Sequence, residues 1–349
     1  MSNVCLIGDI HFGVSKNSEL MLKSSMDFFT KQLIPFLTEK KIDTIFFLGD
    51  LFDNRSYMKN EIHDEVYDLF DNKLKGFKIH ILIGNHDCIF ENTTSAHLLK
   101  FLKKFDNVNV VDSRSKIVTI DNKDILLVPW MHNMNETLDV FQDNEADIVM
   151  GHFDITGFNF NKWVLSKSGM SPDYFAGRYD LVFSGHFHTR TTKKISGTEF
   201  VYVGSPYQMT RADINEERGF VLLNVEKMKY GYFSNEVSTK FVEINYPEKL
   251  SESKIKNNKV DVFINYDKET YTPDEYDKYI QQVESFNPAS METFYTDKSN
   301  ISTDFDIDDS SFANTRELIK VYMEQSELSN KEKVKDKMLS LHDEVKGDD

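Results

Sequence analysis

Short apolar runs recur through the first half of the chain. They are rich in Ile, Val and Phe and do not alternate with polar residues, as expected of strands buried on both faces. The runs are Val4–Ile7, Thr44–Leu48, Ile79–Ile83, Ile148–Met150 and Leu181–Phe183. Apolar residues at helical spacing follow the first three runs, over 21–36, 62–70 and 98–102. This strand–helix–strand order predicts a layered α/β core.

From about Lys116 the pattern becomes richer in strands. Lys116–Ile120 and Ile125–Val128 flank Asp121 and Asn122, a pair typical of a hairpin turn. Further strands are predicted at 200–203, 219–225 and 229–233. We expect these segments to form a second sheet packed on the first.

The last third predicts smaller parts. A strand at Val260–Ile264 and a helix at Pro273–Phe286 indicate a small α+β capping domain. Two helices, at 316–327 and 329–345, share an apolar stripe that includes Val334 and Met338. This helical pair either needs a partner surface or folds back onto its own core. The predicted division is a main domain over 1–240, a capping domain over 241–286, a linker over 287–311 and a C-terminal helical segment over 312–349.

Composition narrows the class of protein. The 349 residues carry a formal charge of −16, which argues against non-specific coating of DNA or membranes but leaves a local site open. Two cysteines fit a reducing compartment better than a disulfide framework. No signal peptide and no membrane span is apparent, so a cytoplasmic location is expected.

The chemistry lies directly after the five apolar runs, where each strand is followed by glycine and then by a polar side chain. Ligands bind beyond the carboxyl ends of strands in α/β sheets. Five strand ends that present oxygen and nitrogen donors to one rim therefore predict a polynuclear metal site. The candidate ligands are Asp9, His11, Asp50, Asn85, His152, His186 and His188. Oxygen and imidazole donors without thiolate suit Mn, Fe or Zn. Two such ions about 3.5–4 Å apart activate a water and clamp phosphate oxygens.

Each motif alone has an ordinary structural explanation. An Asp-x-His after a strand is usually a cap, and a Gly-His pair is weaker still. The conjunction of five motifs in this order is specific.

The set resembles the five motifs of the calcineurin-like metallophosphoesterase superfamily, over residues 4 to about 225. The resemblance implies two packed mixed β-sheets flanked by helices, a four-layer sandwich. It implies one metal held by Asp9, His11, Asp50 and His188. The second metal would take Asp50 as a bridge together with Asn85, His152 and His186.

Three further residues receive catalytic roles from the same resemblance. His86 would protonate the leaving oxygen or stabilise the phosphate, and Asp87 would orient His86 unless it is a plain turn carboxylate. Some family members carry His where Asp53 stands, so Asp53 departs from the pattern. We expect Asp53 to support the site by orienting His86 or a water.

Within the superfamily, the segments Gly49–Asp53, Asn85–Asp87, Gly204–Pro206 and Arg218–Phe220 are similar to SbcD-type DNA repair nucleases. That branch implies a Mn²⁺-dependent exonuclease and single-strand endonuclease, active in DNA repair, recombination and replication. It also implies a homodimer within a heterotetramer, bound through the C-terminal helices to an SMC-like coiled-coil ATPase. The residue usage favours a tailed-phage recombination endonuclease subunit, acting in the host cytoplasm.

Basic residues near the motifs are candidate DNA contacts through phosphate. They are Arg55, Lys59, Arg114, Lys116, Lys162, Lys167, Arg178, Arg190, Lys193, Lys194 and Arg211. Two other functions remain open: a phosphoesterase for small molecules or phosphoproteins, and a non-enzymatic scaffold that assembles through its tail.

Overall fold

Two six-stranded mixed sheets form the centre of the molecule. In the computed structural model, the described residues are 2–90, 93–159, 165–167, 169–266, 273–297 and 331–346. The strands are β1 (Asn3–Ile7), β2 (Thr44–Phe47), β3 (Lys78–Leu82), β4 (Cys88–Phe90), β5 (Thr93–His97), β6 (Val108–Val111), β7 (Lys116–Ile120), β8 (Lys123–Val128), β9 (Ile148–His152), β10 (Leu181–Gly185), β11 (Thr191–Ile195), β12 (Thr198–Tyr202), β13 (Gly219–Asn224), β14 (Lys229–Ser234), β15 (Phe241–Asn245), β16 (Lys259–Tyr266) and β17 (Ser290–Asp297).

The helices lie mainly outside these sheets. They are α1 (Val14–Asn17), α2 (Glu19–Asp27), α3 (Ile34–Glu39), α4 (Asn60–Asp68), α5 (Met134–Asp143), α6 (Glu252–Ile255), α7 (Pro273–Ser285) and α8 (Lys331–Lys346). Two π-helical segments, Phe28–Leu33 and Leu69–Lys73, extend α2 and α4. Leu98–Lys104 is 3₁₀-helical, as are two shorter segments. No described helix has the length and apolar character needed to cross a membrane.

The first sheet has the order β14-β13-β1-β2-β3-β6, and the second has the order β11-β12-β10-β9-β8-β7. Strands β1, β2, β3 and β6 run parallel, as do β8, β9, β10 and β12. Hairpin partners run antiparallel at the edges. Parallel central strands place their carboxyl ends at one edge of each sheet.

Three apolar layers hold the sheets and helices together. Leu6, Phe46, Met150 and Phe183 are buried between the two sheets. On the other face of the first sheet, residues such as Phe47 pack against the early helices. The second sheet packs outward in the same way, against α5. The order helix, sheet, sheet, helix confirms the four-layer fold expected from the sequence.

The five predicted strands and the hairpin at 116–128 are confirmed, since each coincides with an observed strand. Strands β13 and β14 were expected in the second sheet, and that assignment is wrong. β13 pairs with β1 at the edge of the first sheet. Long-range pairing decides which sheet a strand joins, and an apolar run carries no information about its partner.

The chain after residue 240 forms a three-stranded sheet of β15, β16 and β17. Strand β17 occupies the start of the expected linker at 287–311, so that part of the expectation is wrong. Its polar sequence gave no strand signal, but Phe294 stacks on Phe263 of β16 at 4.9 Å. Residues 298–311, and the first helix of the expected pair, lie outside the described residues. Contacts divide the chain into two units, Met1–Ile264 with Pro273–Phe294, and Asn265–Thr272 with Tyr295–Asp349.

Candidate metal centre

The seven predicted ligands meet where the carboxyl ends of the two sheets face each other. Asp9, Asp50 and Asn85 follow β1, β2 and β3 of the first sheet. His152 ends β9 of the second sheet, and His186 follows β10. The sequence pointed to one rim, but the structure builds the site from two opposed rims.

The first cluster of donors comprises Asp9, His11 and His188. One ligand atom from each lies within 4.8 Å of the others. The Nε2 atoms of His11 and His188 are 3.1 Å apart and point at each other. A shared cation is a natural complement to two facing imidazole nitrogens beside a carboxylate.

The second cluster comprises Asp50, His152 and His186, again with ligand atoms within 4.8 Å. The side-chain oxygen of Asn85 lies 3.0 Å from His152 Nε2 and 3.0 Å from His186 Nδ1. Asn85 therefore faces the same point as the two imidazoles. Asp9, His11 and His188 thus lie together, and so do Asp50, Asn85, His152 and His186.

Asp50 lies between the clusters. Its Oδ2 atom is 3.6 Å from His11 Nε2 and 3.3 Å from His152 Nε2. The side chain is buried, with 2% of its surface exposed. One carboxylate oxygen that reaches both clusters has the position required of a bridging ligand.

The donor set fits divalent metal ions on the evidence of an unsatisfied carboxylate oxygen. Among the described residues, Asp9 Oδ2 is buried and has no hydrogen-bond partner. Buried polar atoms are normally paired, and a carboxylate oxygen left open beside imidazoles is suited to coordination. Oxygen and nitrogen donors without sulfur suit Mn, Fe or Zn.

Electrostatics also favours positive charge in this site. Burial raises the pKa of Asp9 to about 6. Burial by itself lowers the pKa of His152, but the negative charge of Asp50 outweighs it and raises that pKa to about 9. Burial, together with the charge of His152, lowers the pKa of His186 to about 3. The site therefore stabilises a positive charge beside Asp50 and keeps His186 neutral, which is the ligating form.

The backbone is held in unusual conformations at four site residues. The φ angles are positive at Asp9 (37°), His11 (51°), Asp50 (50°) and His186 (85°). Such conformations cost about 1–3 kcal/mol each in non-glycine residues and cluster at functional sites. Hydrogen bonds compensate: His11 N donates to Asp50 O at 3.0 Å, and His186 N donates to Asp9 Oδ1 at 2.7 Å.

Two glycines leave room for the site. A Cβ atom on Gly49, whose φ is +94°, would lie 2.2 Å from His152 Nδ1. A Cβ atom on Gly84 would lie 2.1 Å from Asp50 Oδ1. Both distances are far below van der Waals contact, so the ligands occupy space that only glycine leaves free.

His86 lies beside the clusters and is held by Asp53. The Nδ1 atom of His86 is 2.9 Å from the main-chain oxygen of Asp53, so Nδ1 carries the proton and Nε2 is the free ring nitrogen. The carboxylate of Asp53 instead lies 3.3 Å from His11 Nδ1. Asp53 thus contacts both His86 and His11, through its main chain and its side chain respectively.

Asp87 occupies a different position from the one expected for orienting His86. Its carboxylate is buried and accepts the backbone N–H groups of Gly84 at 2.9 Å and Phe52 at 3.1 Å. Burial, together with the charge of Asp50, raises the pKa of Asp87 to about 7. Asp87 joins the loops after β2 and β3, because a compact turn leaves its carboxylate facing backbone amides and not the imidazole.

The expected DNA contacts divide into several groups. Arg211 pairs with Asp261 of the three-stranded sheet and with Glu292 at 2.7 Å, so its charge is already neutralised. Lys193 donates to the main-chain oxygen of Gly157. Arg190 lies 4.3 Å above the Tyr232 ring. Lys116 donates to the side-chain oxygen of Asn109 at 2.8 Å, and Lys162 lies outside the described residues.

The sequence analysis missed two residues that support the site. Trp130 follows β8, and its ring centroid is 5.4 Å from that of His186. Arg218 is buried and donates to the main-chain oxygen of His188 while pairing with Asp213 at 2.6 Å. The strand-end rule could have found Trp130, which follows a predicted strand. Arg218 formed part of the branch resemblance but gave no signal of a role at this site, because its hydrogen bond to His188 joins residues 30 positions apart in the sequence.

The chain is similar to several known proteins. The sequence profile of the calcineurin-like phosphoesterase family matches residues 2–190. Exonuclease subunit 1 of Enterobacteria phage T4 is 32% identical over 249 residues, covering 70% of each chain. A solved structure described as a novel archaeal phosphodiesterase covers 66% of this chain and 99% of its own, at 14% identity and a TM-score of 0.36. A hypothetical protein from Pyrococcus horikoshii OT3 covers 68% and 89%, at 13% identity and a TM-score of 0.39.

Proposed function

Because the chain belongs to the calcineurin-like phosphoesterase family and is a phosphodiester hydrolase, we propose that it is a metal-dependent DNA nuclease with a two-metal centre. The observation that carries the two-metal proposal is Asp50 Oδ2, which lies 3.6 Å from His11 Nε2 and 3.3 Å from His152 Nε2. A shared carboxylate oxygen with imidazoles on either side supports two adjacent ions.

One ion would be held by Asp9, His11, His188 and Asp50. The other would be held by Asp50 with Asn85, His152 and His186. These residues would hold divalent ions, whose chemistry would be to activate the attacking water and to neutralise charge on the phosphate oxygens. Mn²⁺ is the proposed ion, because the donors mix carboxylate, amide and imidazole.

Side chains and main-chain atoms of the protein supply the proton and position the reacting groups. His86, with both ring nitrogens protonated, is proposed to give its Nε2 proton to the leaving oxygen and so to become a neutral imidazole. The main-chain oxygen of Asp53 holds His86 Nδ1 at 2.9 Å, which leaves Nε2 for that transfer. Asp87 keeps the loops after β2 and β3 together, and so keeps Asp50 and His86 in register. The carboxylate of Asp53 steadies His11 from the side away from the metals.

DNA is proposed as the substrate because the phage T4 relative is named an exonuclease subunit. The segments Gly49–Asp53 and Gly204–Pro206, which resemble SbcD-type nucleases, support the same proposal. We propose exonuclease and single-strand endonuclease action in DNA repair, recombination or replication. A cytoplasmic location follows from that substrate, and the free thiols of Cys5 and Cys88 are compatible with it.

The C-terminal segment is proposed to bind an SMC-like coiled-coil ATPase. Helix α8 exposes Val334 and Met338, at 37% and 39% of their surfaces, four residues apart on one face. An uncovered apolar stripe supports a helical partner. We propose 1–240 as the nuclease domain, a capping domain from 241 that extends to β17, and 312–349 as the partner-binding segment. A homodimer within a heterotetramer completes this proposal.

The test is DNA cleavage by the purified full chain. With Mn²⁺, wild type is expected to degrade end-labelled linear and single-stranded DNA, and Asp50→Asn is expected to reduce the rate at least a hundredfold. Asp143→Asn is the matched control, since Asp143 is exposed on α5, outside the two clusters. Circular dichroism establishes that both variants are folded.

One result would contradict DNA as the substrate. A wild type that hydrolyses a chromogenic phosphodiester but never DNA, even with its cognate ATPase, would favour a small-molecule phosphoesterase. A phosphopeptide panel then identifies a phosphoprotein substrate.

A further inference from the structure

A small pocket lies beside the metal centre and shares His152 with it. It has a volume of about 160 Å³ and is lined mainly by apolar side chains, including Trp130, Met131, Phe153 and Met170. A cavity of about 150 Å³ accepts one six-membered ring. The pocket therefore has the size and the lining for a single flat ring.

Two polar atoms in the pocket wall point to a ligand. Within the described part of the chain, Trp130 Nε1 and His132 Nε2 are buried and have no hydrogen-bond partner. Buried donors without a partner are costly, and both belong to residues that line this pocket. A ring that carries exocyclic oxygen or nitrogen atoms would satisfy them.

The position of the pocket relative to the two clusters further restricts the class of ligand it can bind. The Trp130 ring centroid is 5.4 Å from that of His186 and 6.0 Å from that of His152. A group bound against Trp130 is thus about one ring away from the second cluster. In a nucleotide, the base and its phosphate are separated by only one sugar.

We propose that this pocket binds the base of the nucleotide whose phosphate lies at the metal centre, with Trp130 as the main contact. The inference rests on the proposed function and deepens it by naming a nucleoside subsite. Stacking on the face of the Trp130 ring holds the base, and His132 Nε2, unpaired within the described part of the chain, is a hydrogen-bond partner for a polar atom on the edge of the base. A single-ring base such as thymine matches the volume.

The first test compares two phosphodiesters with the same leaving group. They are the p-nitrophenyl ester of thymidine 5′-monophosphate and methyl p-nitrophenyl phosphate, which lacks the nucleoside. Wild type is expected to have at least a tenfold higher kcat/KM for the nucleoside ester. Trp130→Ala is expected to lower that ratio about tenfold, and Trp130→Phe to lower it less, because the phenyl ring retains part of the stacking.

The matched control is Tyr174→Ala. Tyr174 is 41% exposed and does not line the pocket, so the ratio should not change. If Trp130→Ala lowers kcat/KM for both esters by the same factor, the residue supports only His186 and the subsite is refuted. An equal rate for both esters in wild type refutes it as well.

A second test needs no catalysis. The chain has two tryptophans, so Trp163→Phe leaves Trp130 as the sole indole. Thymidine 5′-monophosphate added to this variant, without metal, should quench its fluorescence saturably. Met131→Trp narrows the pocket and should weaken nucleotide binding, measured by calorimetry, at least fivefold. Quenching without any DNA cleavage would retain the subsite and reject the nuclease. DNA cleavage without fluorescence quenching and without a preference for the nucleoside ester would retain the nuclease and reject the subsite.

Discussion

The Nδ1 atom of His152 lies 2.7 Å from the main-chain oxygen of Leu48. Leu48 follows β2 of the first sheet, and His152 ends β9 of the second, so this hydrogen bond joins the two sheets at the site. With Nδ1 occupied by the carbonyl, Nε2 is the atom that faces Asp50. The packing of one sheet on the other therefore sets the orientation of a candidate ligand.

Gly49→Ala should disrupt this arrangement. The new Cβ would lie 2.2 Å from His152 Nδ1, and φ at this position is +94°. Strain and the clash together are expected to lower the free energy of unfolding by about 2–5 kcal/mol. Mn²⁺ affinity should fall at least tenfold. Urea unfolding and calorimetric titration measure the two effects.

Two other glycines provide matched controls. Gly197 has a φ of +95° but nothing within 4 Å of its Cβ position. Gly76 has neither a positive φ nor a neighbour within 4 Å of its Cβ position. Backbone strain alone should lower the free energy of unfolding of Gly197→Ala by about 1–3 kcal/mol. For Gly76→Ala the free energy of unfolding should fall by about 0.5 kcal/mol or less. Neither should alter Mn²⁺ affinity. If Gly49→Ala behaves like Gly197→Ala in both measurements, the close contact with His152 has no role.

Mn²⁺ should stabilise the folded protein. A ligand that binds only the native state, at 100 times its Kd, adds about 2.7 kcal/mol, and EDTA should reverse the effect. Asp50→Asn should remove most of the rise in Tm, because it removes the charge that both clusters share. Differential scanning fluorimetry with and without Mn²⁺ is sufficient, and Asp143→Asn should respond as wild type does. A full rise in Asp50→Asn would be inconsistent with a bridging carboxylate.

Asp53→Ala should separate metal binding from catalysis. The variant loses the carboxylate 3.3 Å from His11 Nδ1 but keeps the main-chain oxygen that holds His86. Groups that orient a ligand typically contribute 10–100-fold in metal affinity. We therefore expect the Mn²⁺ concentration for half-maximal activity to rise about tenfold, while kcat at saturating Mn²⁺ changes less than threefold. A large loss of kcat with unchanged metal dependence would show that Asp53 acts in the chemical step.

His86→Ala should reveal a general acid through its dependence on the leaving group. A DNA 3′-oxygen needs a proton as it leaves, whereas p-nitrophenolate leaves readily without one. The variant is expected to lose about 10²–10⁴-fold on DNA but less than tenfold on a p-nitrophenyl phosphodiester. Equal losses on both substrates would instead indicate phosphate stabilisation, the alternative role of His86.

A buried histidine far from the chemistry should make stability fall in acid. His80 is 4% exposed and stacks on Phe46 at 4.8 Å. Burial, aided by the charges of Lys78 and Lys116, lowers its pKa from 6.5 to about 4. Below about pH 6.5 the His80 side chain is protonated in the unfolded chain but stays neutral in the folded protein. The stability present above that pH is therefore lost as the pH falls towards 4.

At pH 5 this difference amounts to about 2 kcal/mol relative to pH 7. Gln retains an amide that can pair with Asn109, which lies 3.0 Å from His80 Nδ1, but it does not titrate. His80→Gln should therefore lose about 2 kcal/mol less than wild type between pH 7 and pH 5 in urea unfolding. An identical loss in both proteins would place the acid sensitivity elsewhere.

The amino-acid sequence by itself determined the local parts of this protein. Buried strands and their terminal glycines are encoded within a few residues, since side-chain periodicity and turn chemistry are short-range properties. For that reason the five strands and the seven candidate ligands, from Asp9 to His188, could be identified from sequence motifs alone.

Only the tertiary structure decided how these parts meet. It placed the ligands on two opposed sheets, assigned β13 to the first sheet, and used Arg211 to bind Asp261. It also put Trp130 against His186. The metal centre arises because residues far apart in sequence converge at the carboxyl ends of the two sheets. Such contacts depend on pairing and packing between distant segments, for which a single sequence contains no local signal.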